Sequence, residues 1–204
     1  MGYFHNFRDN QYGTSVEVYQ KTLTDLVEYR NGATLLLNRA LDADLLRAEG
    51  RAYGMEVSIQ KTRGFLTGLV AYTYSRTLAR VNTGFSRDQI NGGNWYPSTF
   101  DRFHNLTITA QWRWRRGWTF GTNFVDTSGR PTTYSDGSYR LNGTKVLDYS
   151  QRNADWIPDY HRLDASFTKD GRRTPGQRRY SNWLVSFYNV YARRNPVFDL
   201  FSAC

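Results

Sequence analysis

The chain has few of the residues that build metal centres, disulfides and helical membrane spans. Its 204 residues include one cysteine, Cys204, and three histidines. A single cysteine excludes an internal disulfide. The histidines, His5, His104 and His161, lack the spacing of a metal site, so we predict no bound metal or cofactor. No apolar stretch approaches the roughly 18 residues of a membrane-spanning helix.

The N-terminus lacks the elements of an export signal. Met1 to His5 contain no positively charged segment followed by an apolar core. A protein of an outer membrane must be exported, so in that case we expect the natural chain to begin further upstream. Aromatic residues make up 16% of the chain and apolar residues 39%, which is too much for a disordered tail. The length fits one domain.

Alternation of apolar and polar residues recurs along the chain and predicts β-strands with one dry and one wet face. The alternating runs are residues 15–21 (the weakest), 53–60, 66–75, 105–115, 118–124, 161–167 and 183–191. Two pairs of neighbouring runs are separated by very short turns, which is typical of hairpins. We therefore predict an all-β, antiparallel fold.

The alternation assigns strand residues to two opposite faces. The apolar side comprises Tyr53, Val57, Ile59, Tyr72, Leu106, Ile108, Trp112, Trp114, Trp118, Phe120 and Phe124. The polar side comprises Glu56, Gln60, Thr107, Gln111 and Asn123. Aromatic residues crowd the turn near residue 116. In a soluble sheet a second layer would cover such a face, whereas in a membrane barrel aromatic residues at strand ends form an interfacial girdle.

The predicted connections alternate in length. Tight turns near residues 63 and 116 and a basic turn at 170–178 lie on one side, and long loops at about 80–97 and 128–157 lie on the other. Outer-membrane barrels combine short periplasmic turns with long extracellular loops. This pattern favours a transmembrane β-barrel, with the apolar side facing lipid and the polar side facing the lumen.

The net charge of +9 comes mostly from arginine. The arginine clusters are at 113, 115 and 116, at 172, 173, 178 and 179, and at 193 and 194. The first two clusters fall in predicted turns, where we interpret them as solvated turns and interface anchors. A basic all-β protein that binds nucleic acid through phosphate contacts is the less favoured interpretation.

Two short polar sets combine an acid, a base and a cation. Asp101 and Arg102 lie beside His104, and His161 and Arg162 lie beside Asp164. No serine or cysteine nucleophile has a fixed relation to either set. We predict charge pairs on the wall and rim of a barrel, and no catalytic residues. The helix-like apolar spacing of residues 33–47 predicts a loop with a short helical turn.

Six stretches carry a resemblance to a known family. They are Gly50 to Glu56, Ala71 to Arg76, Asn94 to Pro97 with Asp101 to His104, Gly129 to Tyr134, His161 to Asp164, and Tyr188 to Pro196. In this order, over about residues 12–198, they resemble the barrel of TonB-dependent outer-membrane receptors of the Bacteroidota type. The resemblance implies a 22-stranded barrel around an N-terminal plug, which imports a metal chelate, vitamin or glycan.

Set against that family, residues 1–204 would form a partial barrel domain of seven or eight strands, without the plug. The implied location is the outer membrane of a Gram-negative bacterium, among lipid and lipopolysaccharide. In the intact receptor the plug and the TonB energising complex would be partners. The alternative is a self-contained eight-stranded barrel with binding loops, in which a strand before Tyr19 would pair with one through Phe201.

Aromatic residues in or beside the long loops are candidate ligand contacts, because exposed rings stack on sugars and enclose chelates. These residues are Trp95, Tyr96, Tyr134, Tyr139 and Trp156. In the alternative interpretation their rings pack the loops against one another.

Overall fold

The computed structural model describes residues 1–33, 38–149, 151–171 and 181–196. In this part of the chain the regular structure consists of β-strands and short 3-10 turns, without an α-helix, so the all-β prediction is confirmed. The strands are β1 (Gly2–Phe7), β2 (Tyr12–Tyr29), β3 (Leu45–Lys61), β4 (Leu66–Arg80), β5 (Tyr96–Pro97), β6 (His104–Trp114), β7 (Trp118–Thr127), β8 (Pro131–Thr132), β9 (Gly137–Leu141), β10 (Thr144–Asp148), β11 (Asp155–Trp156), β12 (Tyr160–Lys169) and β13 (Trp183–Phe187).

One antiparallel sheet dominates the fold. Its strands follow the order β1-β2-β3-β4-β6-β7-β12-β13, and β5 pairs with β4 beyond the end of β6. Two small ladders, β9 with β10 and β8 with β11, lie in the connection between β7 and β12. Within the described residues β1 and β13 stand at opposite ends of the sheet and do not pair with each other, so the sheet is open there.

The connections alternate in length as the sequence predicts. Short turns at 8–11, 62–65 and 115–117 lie at one end of the sheet, which we call the turn end. Connections at 30–44, 81–103 and 128–159 lie at the other, the loop end. The predicted basic turn, with Arg172, Arg173, Arg178 and Arg179, falls mostly outside the described residues, as do Leu35 to Leu37 and Cys204.

Several predicted boundaries differ from the structure. The weak pattern at 15–21 belongs to the 18-residue strand β2, which pairs with β3 along its length around a bulge between Leu23 and Leu26. Strand β13 ends at Phe187 instead of continuing to Tyr191, and Asn189 just beyond it adopts a left-handed φ of 53°. In the segment 33–47 a 3-10 turn occupies Leu41–Asp44, and β3 then begins at Leu45.

The strand registers place the two predicted residue sets on opposite faces, because residues directly opposite each other in an antiparallel pair share a face. Val57, Tyr72 and Leu106 lie in one row of cross-strand partners. Ile59, Val70, Ile108 and Phe124 form the next row toward the turn end. All members of the predicted apolar set share this face, which we call the apolar face.

A small hydrophobic core lies on the opposite, polar face, at the loop end. Leu46 and Ala48 of β3 and Ala79 of β4 contribute from the sheet. Val81, Ile90 and Tyr96 come from the connection 81–103 and are joined to this cluster. That connection therefore folds over the loop end of the polar face. In the described residues no helix has the length and apolar character to cross a membrane.

Candidate functional site

The apolar face has no protein layer over it in the described part of the chain. Val57 is 36% exposed and Trp112 is 46% exposed, although both lie in central strands. A soluble sheet would bury side chains of this kind against a second layer. A contiguous exposed apolar surface on this scale is typical of a face that contacts a membrane or a partner.

Charged residues bound the apolar stretch of β3. Arg51 and Lys61 share a face with Tyr53, Val57 and Ile59, because all occupy odd positions in one strand. Arg51 and Lys61 are ten residues apart, which is about 33 Å along a strand. With a strand tilt of about 40°, this spans a height of about 25 Å, which matches the apolar band of outer-membrane barrels.

Aromatic rings crowd the turn end of the apolar face in a group that we call the turn-end aromatic cluster. Its members are Trp112, Trp114, Trp118, Phe120 and Phe167. The rings of Trp112 and Trp114 stack with centroids 5.7 Å apart, and those of Phe120 and Phe167 lie 5.0 Å apart. Together with Thr119 these residues line a cavity of about 490 Å³.

Tyrosine and histidine side chains mark the loop end of the same face. The Tyr72 hydroxyl lies 2.8 Å from Nδ1 of His104, and the Tyr191 hydroxyl lies 2.7 Å from Nδ1 of His161. Rings with one apolar side and one polar tip are characteristic of the boundary between lipid and water. The apolar face thus has aromatic rings at both ends, with Ile59, Val70, Ile108 and Phe124 between them.

The polar face forms a concave groove. Residues from β3, β4, β6, β7, β12 and β13 together line a cavity of about 850 Å³, which requires the sheet to curve toward this side. Gln60, Gln111 and Asn123 line it, and Glu56 and Thr107 lie on the same face closer to the loop end. All five predicted polar residues therefore share the concave face.

No protein-family model, curated protein or solved structure matches this chain. The resemblance to TonB-dependent receptors therefore stays a prediction.

The predicted loop aromatics do not form one ligand site. Tyr96 is 3% exposed and belongs to the hydrophobic core, so the expectation of a free ring does not hold for it. Trp95 lies under the guanidinium carbons of Arg51 and Arg80, at 4.2 Å and 4.8 Å. Trp156 stacks on Phe103 with centroids 4.6 Å apart. Trp95 and Tyr96 therefore pack against strands β3 and β4, and only Trp156 packs against a ring of another loop.

Two of the five loop aromatics have different surroundings. Tyr134 is half-buried, and its backbone N–H donates to Asp155. Tyr139 is 53% exposed on the hairpin of β9 and β10. Tyr139 thus remains the candidate with an accessible ring, and its contact with a ligand stays a prediction.

Each polar set contains one carboxylate in an ion pair, but Asp101 pairs with Arg76 from outside its set, and only Asp164 pairs with the arginine of its own set, Arg162. Nε of Arg76 donates to Asp101 at 3.1 Å, and the Thr77 N–H donates to the other carboxylate oxygen at 2.6 Å. On β12 the Arg162 guanidinium lies 2.9 Å from Asp164. The histidines point away from both carboxylates, since His104 and His161 bond to tyrosines.

Side-chain amides that cannot be identified from the sequence join the two longest connections. The Asn91 amide exchanges two hydrogen bonds with the backbone of Arg152, at 2.8 Å and 2.9 Å. Buried Asn153 donates to the carbonyl of Pro97 at 2.8 Å, and its N–H donates to Thr133. Single amide side chains bridging positions about 60 residues apart leave no periodic signal in a sequence.

Burial makes the ionisation of Tyr96 a probe of this loop packing. The pKa of Tyr96 is raised to about 12 from its ordinary value of 10.0. Burial is the largest cause, and the carboxylate of Glu28 raises the pKa further, whereas Arg152 lowers it. The folded state then holds the phenolic proton more tightly than the unfolded state. The contribution of the protonated Tyr96 hydroxyl to stability is complete below pH 10 and is lost as the pH rises from 10 to 12.

We therefore expect the free energy of unfolding of Tyr96→Phe to depend less on pH than that of the wild type between pH 10 and pH 12. The free energy of unfolding of the wild type should fall by about 2 kcal/mol more than that of the variant between pH 10 and pH 12. Denaturant titrations at matched pH values measure the difference. Equal losses in both proteins would contradict the burial of this hydroxyl.

Proposed function

We propose that this chain forms part of the wall of a transmembrane β-barrel in a bacterial outer membrane. The observation that supports it best is the exposed apolar face, with aromatic rings at each end, and Arg51 and Lys61 outside the apolar stretch of β3. In water this face would favour aggregation, whereas in a bilayer each buried methylene is stabilising by about 0.8 kcal/mol. Lipid is the environment that fits it.

The two sheet edges and the polar face fit the same proposal. Strands β1 and β13 have unpaired outer edges in the described residues, and a barrel satisfies such edges by pairing them with further strands. The concave polar groove would face a water-filled or plugged lumen. The short turns would lie on the periplasmic side and the long connections on the extracellular side.

We further propose that the barrel belongs to a nutrient importer of the TonB-dependent receptor type. The support is the ordered series of motifs in the sequence, together with a curved wall of eight strands that would need further strands to enclose a plug. In this proposal the plug contacts the polar face, and lipid and lipopolysaccharide surround the apolar face. The TonB complex of the inner membrane would supply the energy.

Spin labels on β3 test the membrane assignment directly. In a Cys204→Ser background, we expect nitroxides at Val57→Cys and Ile59→Cys to collide with dissolved oxygen, which concentrates in lipid. Labels at Glu56→Cys and Gln60→Cys should collide with a water-soluble nickel chelate. Label accessibility should therefore alternate between lipid and water from one residue to the next, because successive side chains of a strand point to opposite faces. Power saturation in lipid vesicles measures it.

Water accessibility at all four positions would contradict the membrane proposal. The genomic sequence flanking this reading frame tests the importer assignment separately. A plug-coding sequence upstream would support it. A complete export signal encoded directly before Gly2 would instead support a self-contained barrel. In that case cysteines in β1 should also crosslink to cysteines in the residues after β13.

A further inference from the structure

Cationic side chains lie over the aromatic rings at the turn end of the apolar face. Nζ of Lys169 is 5.3 Å from the Trp118 ring centroid. Nζ of Lys61 is 5.6 Å from the centroid of Tyr12, and Cζ of Arg8 lies 5.7 Å from the same ring. Each cation therefore sits at the boundary of the apolar surface, where lipid phosphates would lie if the proposed function holds.

Lys169 is the cation beside the turn-end aromatic cluster. In the sheet it lies directly opposite Trp118 on one side and Trp183 on the other. The cavity of about 490 Å³ in this cluster is walled almost entirely by rings and falls in the size range of small-molecule sites. The ammonium of Lys169 lies over Trp118, one of the rings that line this cavity, so the apolar slot has a cation beside one wall. Such a slot is complementary to an acyl chain with an anionic head.

We propose that this cavity is a binding site for one anionic glycerophospholipid. The acyl chain would lie between the rings of Trp112 and Phe120, and the phosphate would lie at the Lys169 ammonium. The exposed Arg115 in the adjacent turn adds a second positive charge. The inference rests on the proposed function, because it needs the turn end to lie at a membrane surface.

Tryptophan quenching by brominated lipids tests the site in the full-length chain. The protein is reconstituted in vesicles that contain brominated phosphatidylglycerol or brominated phosphatidylcholine at equal mole fraction. Near a lipid surface one lysine changes lipid association by about five-fold. We expect phosphatidylglycerol to be preferred by about this factor, and Lys169→Gln to remove most of the preference.

Lys61→Gln is the matched control. It removes the same charge from the same end of the apolar face, but β3 lies four strand spacings from β12, about 19 Å away. At 0.1 M salt this exceeds the screening length of about 10 Å. A local site predicts that Lys61→Gln keeps the preference, whereas a diffuse surface potential predicts equal losses in both variants.

The outcomes separate this inference from the proposed function. Quenching by both lipids without a preference, or equal losses in the two variants, would overturn the phospholipid site and leave the membrane assignment intact. Absence of quenching by either lipid would contradict the membrane assignment itself. Preferential quenching that only Lys169→Gln removes supports the site.

Discussion

Ile108→Arg should lower the free energy of unfolding in lipid vesicles by about 2–4 kcal/mol, the cost of arginine near the middle of a bilayer on a barrel exterior. Ile108 lies at the centre of β6 on the apolar face, with Val70 and Phe124 as its cross-strand partners. If this face contacts lipid as proposed, a guanidinium there would have no water within reach. Urea titration of the reconstituted protein, followed by tryptophan fluorescence, measures the loss.

The adjacent residue provides the matched control. Thr109 lies on the same strand but lines the concave groove. Thr109→Arg places the same side chain in a polar setting, so we expect a loss below about 1 kcal/mol. Similar losses for the two variants would mean that the two faces meet the same environment, and the proposed orientation would fail.

Asp101→Ala should destabilise the loop end by about 3 kcal/mol, because breaking a buried ion pair leaves the remaining charge uncompensated. Asp101 is fully buried and accepts hydrogen bonds from both Arg76 and the Thr77 backbone. The Arg76 guanidinium also lies 4.2 Å from the Phe103 ring, which itself stacks on Trp156. Removing the carboxylate therefore disturbs one end of this stack. Denaturant titration of the reconstituted protein measures the change in free energy.

An exposed ion pair shows what part of that effect is due to burial. Arg47 and Asp25 are 3.6 Å apart, and their side chains are 89% and 73% exposed. Asp25→Asn should cost less than about 1 kcal/mol, as is typical of surface pairs, because asparagine also tolerates the left-handed φ of 57° at this position. Asp101→Asn should lie between the two, because the amide still accepts a hydrogen bond from Thr77. Equal effects of Asp101→Ala and Asp25→Asn would contradict a structural role for the buried carboxylate.

The faces of the central strands could be predicted from the sequence because side-chain direction in a strand depends only on position along it. The runs around Val57 and Ile108 therefore gave the correct face for every residue named there. Strand ends depend on partners distant in the sequence. Strand β2 extends to Tyr29 because β3 pairs with it, and the 15–21 pattern alone could not show this.

The loop end was less predictable, because burial there depends on which segments fold together. Tyr96 and Trp95 are neighbours in sequence, yet Tyr96 enters the hydrophobic core and Trp95 lies beside two arginines. Asn153 carries no pattern that distinguishes it from an exposed loop asparagine. Its hydrogen bond to Pro97 exists only once the two connections are folded against each other.

The anchoring of the 81–103 connection has a mechanical consequence for a barrel of this kind. Ile90 and Tyr96 are buried together with Ala48 and Ala79 of the strands, so in the proposed barrel this segment would be a rigid lining of the mouth. Swinging it aside would expose that whole cluster to water at once. In the proposed barrel any gate for a passing solute on this side would therefore be formed by other segments, and the hairpin of β9 and β10, with β9 exposed along its length, is a candidate.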